Sequence, residues 1–275
     1  MVKNEFLKTF LKWRTYIGFI AIGVVVPLIE YGLKLEGGNM LRNMTRGLSQ
    51  DFLFLGNLFN GYFVTYFIMN SMWVHIPFLI TLVAGDILAG EATAGTFRIL
   101  LTRPPSRTRI FLVKYLVTLG YAAILVVFLA VLGLGLGLLW FGSGDLLVPG
   151  REIVILPAAD VPMHMLVAFG LSILSMWCVA SLAVLFSSFV ENAIGPIVGS
   201  MAVIIVSLII GNLPIAMFES IKPYLFTTHF TLWTRALEDV FPWDDILHSA
   251  LYLVGYTFAF AAVSWAVFTR KDILS

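Results

Sequence analysis

Six apolar runs, each close to the length needed to cross a bilayer, constrain this chain more than any other feature. A hydrocarbon core about 30 Å thick takes roughly 20 apolar residues in a helix rising about 1.5 Å per residue. Counted against that length, the runs lie at 15–31, 62–88, 110–141, 163–189, 193–218 and 246–268. A backbone in hydrocarbon must satisfy its own hydrogen bonds, which a single run achieves only as a helix. The predicted class is therefore an all-α membrane protein with six transmembrane helices in one domain over 1–275. Composition agrees: 12% of residues are charged, against about 25% in soluble domains.

Lysine and arginine positions orient the spans. With both termini cytoplasmic, eleven of the 17 basic residues fall inside, and Lys34, Arg42, Arg46, Arg151, Lys222 and Arg235 fall outside. That asymmetry predicts a multi-pass protein of the inner (cytoplasmic) membrane with both termini in the cytoplasm. Lys3, Lys8, Lys12 and Arg14 alternate with Phe6, Leu7, Phe10, Leu11 and Trp13. At helical period this reads as an interfacial helix over 1–14 on anionic membrane lipid, or as a plain positive flank. No small-residue cleavage site precedes Pro27 and Glu30, so the segment reads as retained, with its first span ending at Glu30.

The outer connections are not simple hairpins. Met40, Leu41, Met44, Leu48, Phe52 and Leu55 recur at helical spacing over 39–59, which predicts a helix on the outer leaflet. Between 212 and 248, Pro214, Pro223 and Pro242 are interleaved with aromatics. That pattern predicts a broken, partly re-entrant outer segment before the last span. Residues 145–162 read as a polar loop with an apolar insert at 153–156.

Inside the spans, Gly133 with Gly137 and Gly195 with Gly199 are small-residue pairs suited to close helix approach. His75, two residues before Pro77, is a site candidate by depth. Its plainer reading is a neutral imidazole bonded to a helix carbonyl beside a kink. Cys178 lies in an apolar run as a small packing residue. Glu191 and Asn192 make the tight inner turn between spans four and five, a possible secondary contact for a partner.

Several chemistries are missing their residues. No Gly-Lys pair occurs, so no phosphate-cradling loop exists to hold a nucleotide. His75, His164, His229 and His248 are far apart and none sits in a His-Glu-x-x-His pattern. Asp244 and Asp245 read as a solvated helix start. Gly142, Ser143 and Gly144 lack a nucleophile elbow. No catalytic residue, metal site, cofactor or nucleic-acid partner is expected, and the chain does not read as an enzyme.

One polar, basic interruption remains, over 86–114. Ala94, Phe97, Leu100 and Leu101 recur at helical spacing while Glu91, Arg98 and Thr102 fall on another face. A short amphipathic helix over 91–102 is predicted, stopped by Pro104 and Pro105. Ser106 is placed to cap the next helix, and Arg103, Arg107, Arg109 and Lys114 crowd the junction.

The run Glu91, Gly95, Thr96, Leu100, Leu101, Pro104, Ser106, Arg107 and Lys114 resembles the signature between spans two and three of type 2 ATP-binding-cassette (ABC) permeases. Asp86 resembles an acid that precedes it in the branch containing nitrous-oxide-reductase maturation permeases. Departures are Ala92, Thr93 and Ala94 where relatives crowd charges, Arg98 in place of a frequent acid, and the second proline, Pro105.

The resemblance implies a permease subunit that pairs with a second copy or homologue. A separate ATPase subunit, holding ATP and Mg, would drive substrate export or mechanical work, and an extracytoplasmic partner is compatible with it. It further implies that 91–102 is the coupling helix, with Glu91, Gly95, Thr96, Phe97, Arg98, Leu100, Leu101, Arg103 and Arg107 contacting the ATPase. For the arginines, snorkelling to lipid phosphates is an equal reading. The competing class is an ion-coupled secondary transporter, which needs acids deep in the spans.

Overall fold

The computed structural model describes residues 1–45, 58–95, 106–149 and 153–271. Helix α1 (Val2–Phe10) turns at Leu11 and Lys12 into α2 (Trp13–Thr45). Then follow α3 (Gly61–Met72), α4 (His75–Ala84), α5 (Asp86–Thr93) and the long α6 (Arg107–Phe141). A small antiparallel hairpin, β1 (Leu146–Val148) and β2 (Val154–Leu156), leads to α7 (Val161–Phe189) and α8 (Ile194–Asn212). Short turns α9 (Ala216–Glu219) and α10 (Leu232–Arg235), with two 3-10 turns between them, precede the last helix, α11 (Trp243–Arg270). Among the described residues, six helices are long and apolar enough to cross a membrane: Trp13–Gly37, His75–Thr93, Arg107–Phe141, Val161–Phe189, Ile194–Asn212 and Trp243–Arg270. The all-α membrane class holds.

Helix α7 is the central post, packed by α4, α5, α6, α8, α10 and α11. Helix α2 lies on α3, α4 and α6 through one stripe, Ile22, Val26, Glu30, Leu33 and Gly37, all buried. Lipid gives little hydrophobic drive between helices, so close backbone approach and directional contacts decide who packs on whom. The clearest close approach is between α3 and α6. A Cβ on Gly61 would lie 2.5 Å from the Gly137 carbonyl carbon, and one on Gly133 would touch Thr65. Gly133 and Gly137 thus serve contact inside the chain, as does Gly199, which faces Phe186 of α7.

The second apolar run forms three helices in succession, for two chemical reasons. Pro77 has no amide hydrogen for the Trp73 carbonyl, so the ladder breaks at residues 73–74. There His75 Nδ1 lies 3.0 Å from the Ser71 carbonyl oxygen, the plainer of its two readings. The second break is made by Ser187 of α7. Its hydroxyl donates to the Gly85 carbonyl (2.6 Å) and accepts from the amides of Leu88 (3.2 Å) and Ala89 (2.9 Å). A side chain inserted into the helix ladder bends it. Gly85 leaves the room that Pro196 and Ile197 of α8 occupy.

Three expectations change. Helix α2 continues past Glu30 to Thr45, so the acid lies within the first span, and the first residues of the expected outer-leaflet helix over 39–59 continue that helix beyond the span; residues 46–57 lie outside the described residues. The polar loop after α6 contains the hairpin, held because Asn60 Nδ2 donates to the Asp145 carbonyl (2.7 Å) and the Ala158 amide donates to Asp145 Oδ1 (2.9 Å). Of the expected helix over 91–102, residues 96–102 lie outside the described residues. Glu91 to Thr93 finish α5, and Gly95, at φ +65, takes the left-handed backbone that ends helices.

The broken segment before the last span has the expected character: its prolines divide it and its aromatics bury it. Phe226 lies 5.5 Å from Phe230 and 5.6 Å from Tyr256 between ring centroids, and Trp233 lies 5.9 Å from Tyr66. Asp244 and Asp245 occupy the first turn of α11, where the helix dipole favours acids.

Candidate functional site

At the end of the bundle that carries Met1 and Lys271, here the basal end, the sequence brings seven charged side chains together. The cause is local. In α1, Glu5 and Lys8 are three residues apart on one face, with Lys12 four residues further on in the turn that follows, while Phe6 and Phe10 stack at 4.6 Å between centroids. Thr15, itself buried, donates to the Thr9 carbonyl (2.5 Å), and Thr9 donates to the Glu5 carbonyl (3.0 Å), which fixes the turn into α2. Phe10 and Phe19 then pack on Tyr121 of α6.

Lys114 is the centre. It is 2% exposed, one cation in a long apolar run, and its Nζ lies 2.5 Å from Glu5 Oε1 and 3.1 Å from Glu91 Oε1. Glu91, 3% exposed, is also paired with Lys8. Beside them Asp86 takes Lys12 Nζ on one oxygen (2.9 Å) and Arg14 Nη1 on the other (2.8 Å). Gly90 leaves the space that the Asp86 carboxylate fills. Three acids and four bases from α1, the turn after it, α2, α5 and α6 thus form two neighbouring ion clusters.

Removing two charges from water costs several kcal/mol per ion, which their attraction does not reliably exceed. The buried pair therefore earns its place through geometry: one arrangement of α1, α5 and α6 satisfies it, and displaced arrangements strand a charge. Lys8, Lys12 and Arg14 are part-exposed, so water and salt screen the outer pairs and the directional demand rests on Lys114 and Glu91.

The connection between α5 and α6 is anchored at both ends. On the α5 side Thr93 donates to the Glu191 carbonyl at 2.6 Å, tying it to the turn between α7 and α8. In that turn Asn192 Oδ1 accepts from the Ile194 amide (3.0 Å), and the Glu191 side chain is largely exposed with Lys271 Nζ 3.8 Å away. On the α6 side Ser106 Oγ accepts from the Arg109 amide, the expected cap. Arg107 donates to the carbonyls of Thr269 (3.1 Å) and Lys271 (2.8 Å), closing the last turn of α11.

Of the residues proposed for a partner, Glu91 and Arg107 therefore bond inside the chain, and Gly95 is a helix terminator. Glu191 and Asn192 sit beside them. Thr96, Phe97, Arg98, Leu100, Leu101 and Arg103 lie outside the described residues. Sequence reasoning missed the pairing of Glu5, Lys8, Lys12 and Asp86, and left Lys114 without a role. A lone lysine in an apolar run was the available signal, because such a cation requires a partner.

Residues 40–274 match the model of a family described as a protein of unknown function, DUF2705. This chain belongs to that DUF2705 family. The matched region holds Asp86, Glu91 and Lys114 but not α1. A second similarity is to the uncharacterized protein YhcI of Bacillus subtilis (strain 168), 23% identical over 200 residues. That alignment covers 70% of this DUF2705 chain and 63% of YhcI, so the chain spans under two thirds of that relative.

Proposed function

We propose that the chain is the membrane-embedded permease subunit of an ABC transporter, working with a second copy or homologue in the cytoplasmic membrane, with both termini in the cytoplasm. ATP and Mg act in a separate ATPase subunit. The observation that carries this reading is the double anchoring of the connection between α5 and α6. A bundle driven from outside needs a contact point whose displacement reaches several helices at once. Here the two ends of residues 94–106 are joined by buried or short contacts to α1, to the turn between α7 and α8, and to α11. The sequence pattern over 91–114 supports the same reading.

The test is co-expression with candidate ATPases, followed by vanadate-sensitive ATP hydrolysis and co-purification in nanodiscs. Phe97→Asp with Leu101→Asp is expected to abolish ATPase binding while membrane insertion persists. Retained binding and transport in that variant would remove the assignment. An ion-coupled secondary transporter is the second reading, favoured by one observation, the acid Glu30 inside the first span. Transport collapsed by a protonophore and indifferent to vanadate would select it.

A further inference from the structure

Glu30 is fully buried, at 0% exposure, and among the described residues neither of its carboxylate oxygens has a hydrogen-bond partner. It belongs to the inner stripe of α2, one turn from Val26 and from Leu33, both buried. Seventeen residues separate it from Trp13, the start of the span, a rise of about 25 Å, which keeps it within the hydrocarbon thickness. Among the described residues, the elements packed on α2 offer no cation there. Helices α3 and α4 contain no lysine or arginine, and α6 has none after Lys114. Lys34, on α2 itself, sits over the Trp140 ring at 5.3 Å.

The remaining ionisable groups on those elements are also placed elsewhere. Tyr66 donates to the Pro149 carbonyl (3.3 Å), and His75 faces the Ser71 carbonyl. Tyr121 donates to the Thr15 carbonyl toward the basal end. Tyr62, near the start of α3, brings a phenol and not a cation. Helix α1 packs on the basal end of α2, where Glu5 and Lys8 belong to the clusters already described.

We propose that Glu30 is a proton-binding site inside the membrane, a neutral carboxylic acid while α2 is packed and an ionised one when α2 parts from α3 and α6. An isolated carboxylate in a medium without donors or cations carries a solvation cost far beyond any single contact, and the neutral acid does not. Release is simple: the acid O–H breaks, the proton passes to water, and the carboxylate stays on α2. Because water reaches the group only when the stripe opens, proton occupancy is tied to the packing of α2. This holds whether ATP or an ion gradient drives the protein.

Infrared spectroscopy of the full chain in lipid nanodiscs tests this directly. At about pH 7 an ordinary glutamic acid is protonated to only about one part in 500, so a carbonyl band that moves on glutamate isotope labelling, which leaves the lipid ester carbonyls in the same region unmoved, has few other sources. The wild type is expected to show the band and Glu30→Gln to lose it entirely, while Glu30→Asp retains a shifted one. If Glu30→Gln does not fold, a carbonyl band in wild type that moves on glutamate isotope labelling and shifts in Glu30→Asp carries the same result. Absence of the band in wild type, as expected if a partner chain supplied a cation, or its persistence in Glu30→Gln, overturns the proposal.

Discussion

The two ends of this bundle are held by different forces. The basal end is fixed by ion pairs, Lys114 with Glu5 and Glu91, and Asp86 with Lys12 and Arg14. The opposite, distal end is fixed by rings: Phe226 among Phe230, Tyr256 and Phe260, Trp233 against Tyr66, and His164 on Phe241 at 4.3 Å. Ring contacts weaken gradually as they slide, since their energy is spread over many small dispersion terms. A buried ion pair has one good geometry and a steep loss around it. The basal end is thus built to move as one piece, and the distal end to yield.

Breaking the charges separates these behaviours most strongly. Lys114→Met leaves Glu5 and Glu91 without their shared cation and is expected to destabilise by about 3–5 kcal/mol, read as unfolding in nanodiscs. Adding Glu91→Leu should restore part of that loss, a coupling of about 1–3 kcal/mol in the double-mutant cycle. If Lys114→Met costs less than about 1 kcal/mol, charge does not hold the basal end. At the distal end, Trp233→Ala is expected to cost about 3 kcal/mol. Its effect should be indifferent to salt, because nothing charged is removed. Smaller again is Arg107→Ala, which frees the Thr269 and Lys271 carbonyls at a half-buried site for a loss of about 1 kcal/mol. Hydrogen exchange should show that loss as fraying confined to the last turn of α11.

What could be read from residues alone followed the range of the forces. The spans are carried by contiguous apolar runs, so their number and approximate limits were legible. Ser106 as a cap and His75 bonded to Ser71 are contacts within four residues, and they too were legible. Glu30 misled because a charge ordinarily ends an apolar run, yet the helix continues around it. Glu5 and Lys114 are 109 positions apart, and nothing in either neighbourhood points to the other; only the topology of the bundle brings them together. Ser187 likewise breaks a helix a hundred residues earlier in the chain through one hydroxyl. The strands of the hairpin, three residues each, are shorter than any alternation that a pattern can reveal.

The finest test of the comparison is acid. At the distal end His229 donates locally: its Nε2 lies 3.0 Å from the Pro223 carbonyl, which requires a proton on Nε2, and its ring stacks on Tyr252 at 4.7 Å. Burial pushes its pKa down, the bond to Pro223 opposes that shift, and neighbouring His248 adds to it. A histidine that resists protonation when folded takes its proton first in the unfolded chain, so stability falls as pH drops below the unfolded value of about 6.5 and continues to fall until the folded group titrates. The ring clusters should therefore loosen as pH falls below about 6.5, with Trp233 and Trp243 fluorescence as the reporter. His229→Phe keeps a ring against Tyr252 and removes the proton. That variant should lose the acid dependence at the distal end while Arg107→Ala keeps it, and equal acid sensitivity in His229→Phe would place the response on another group.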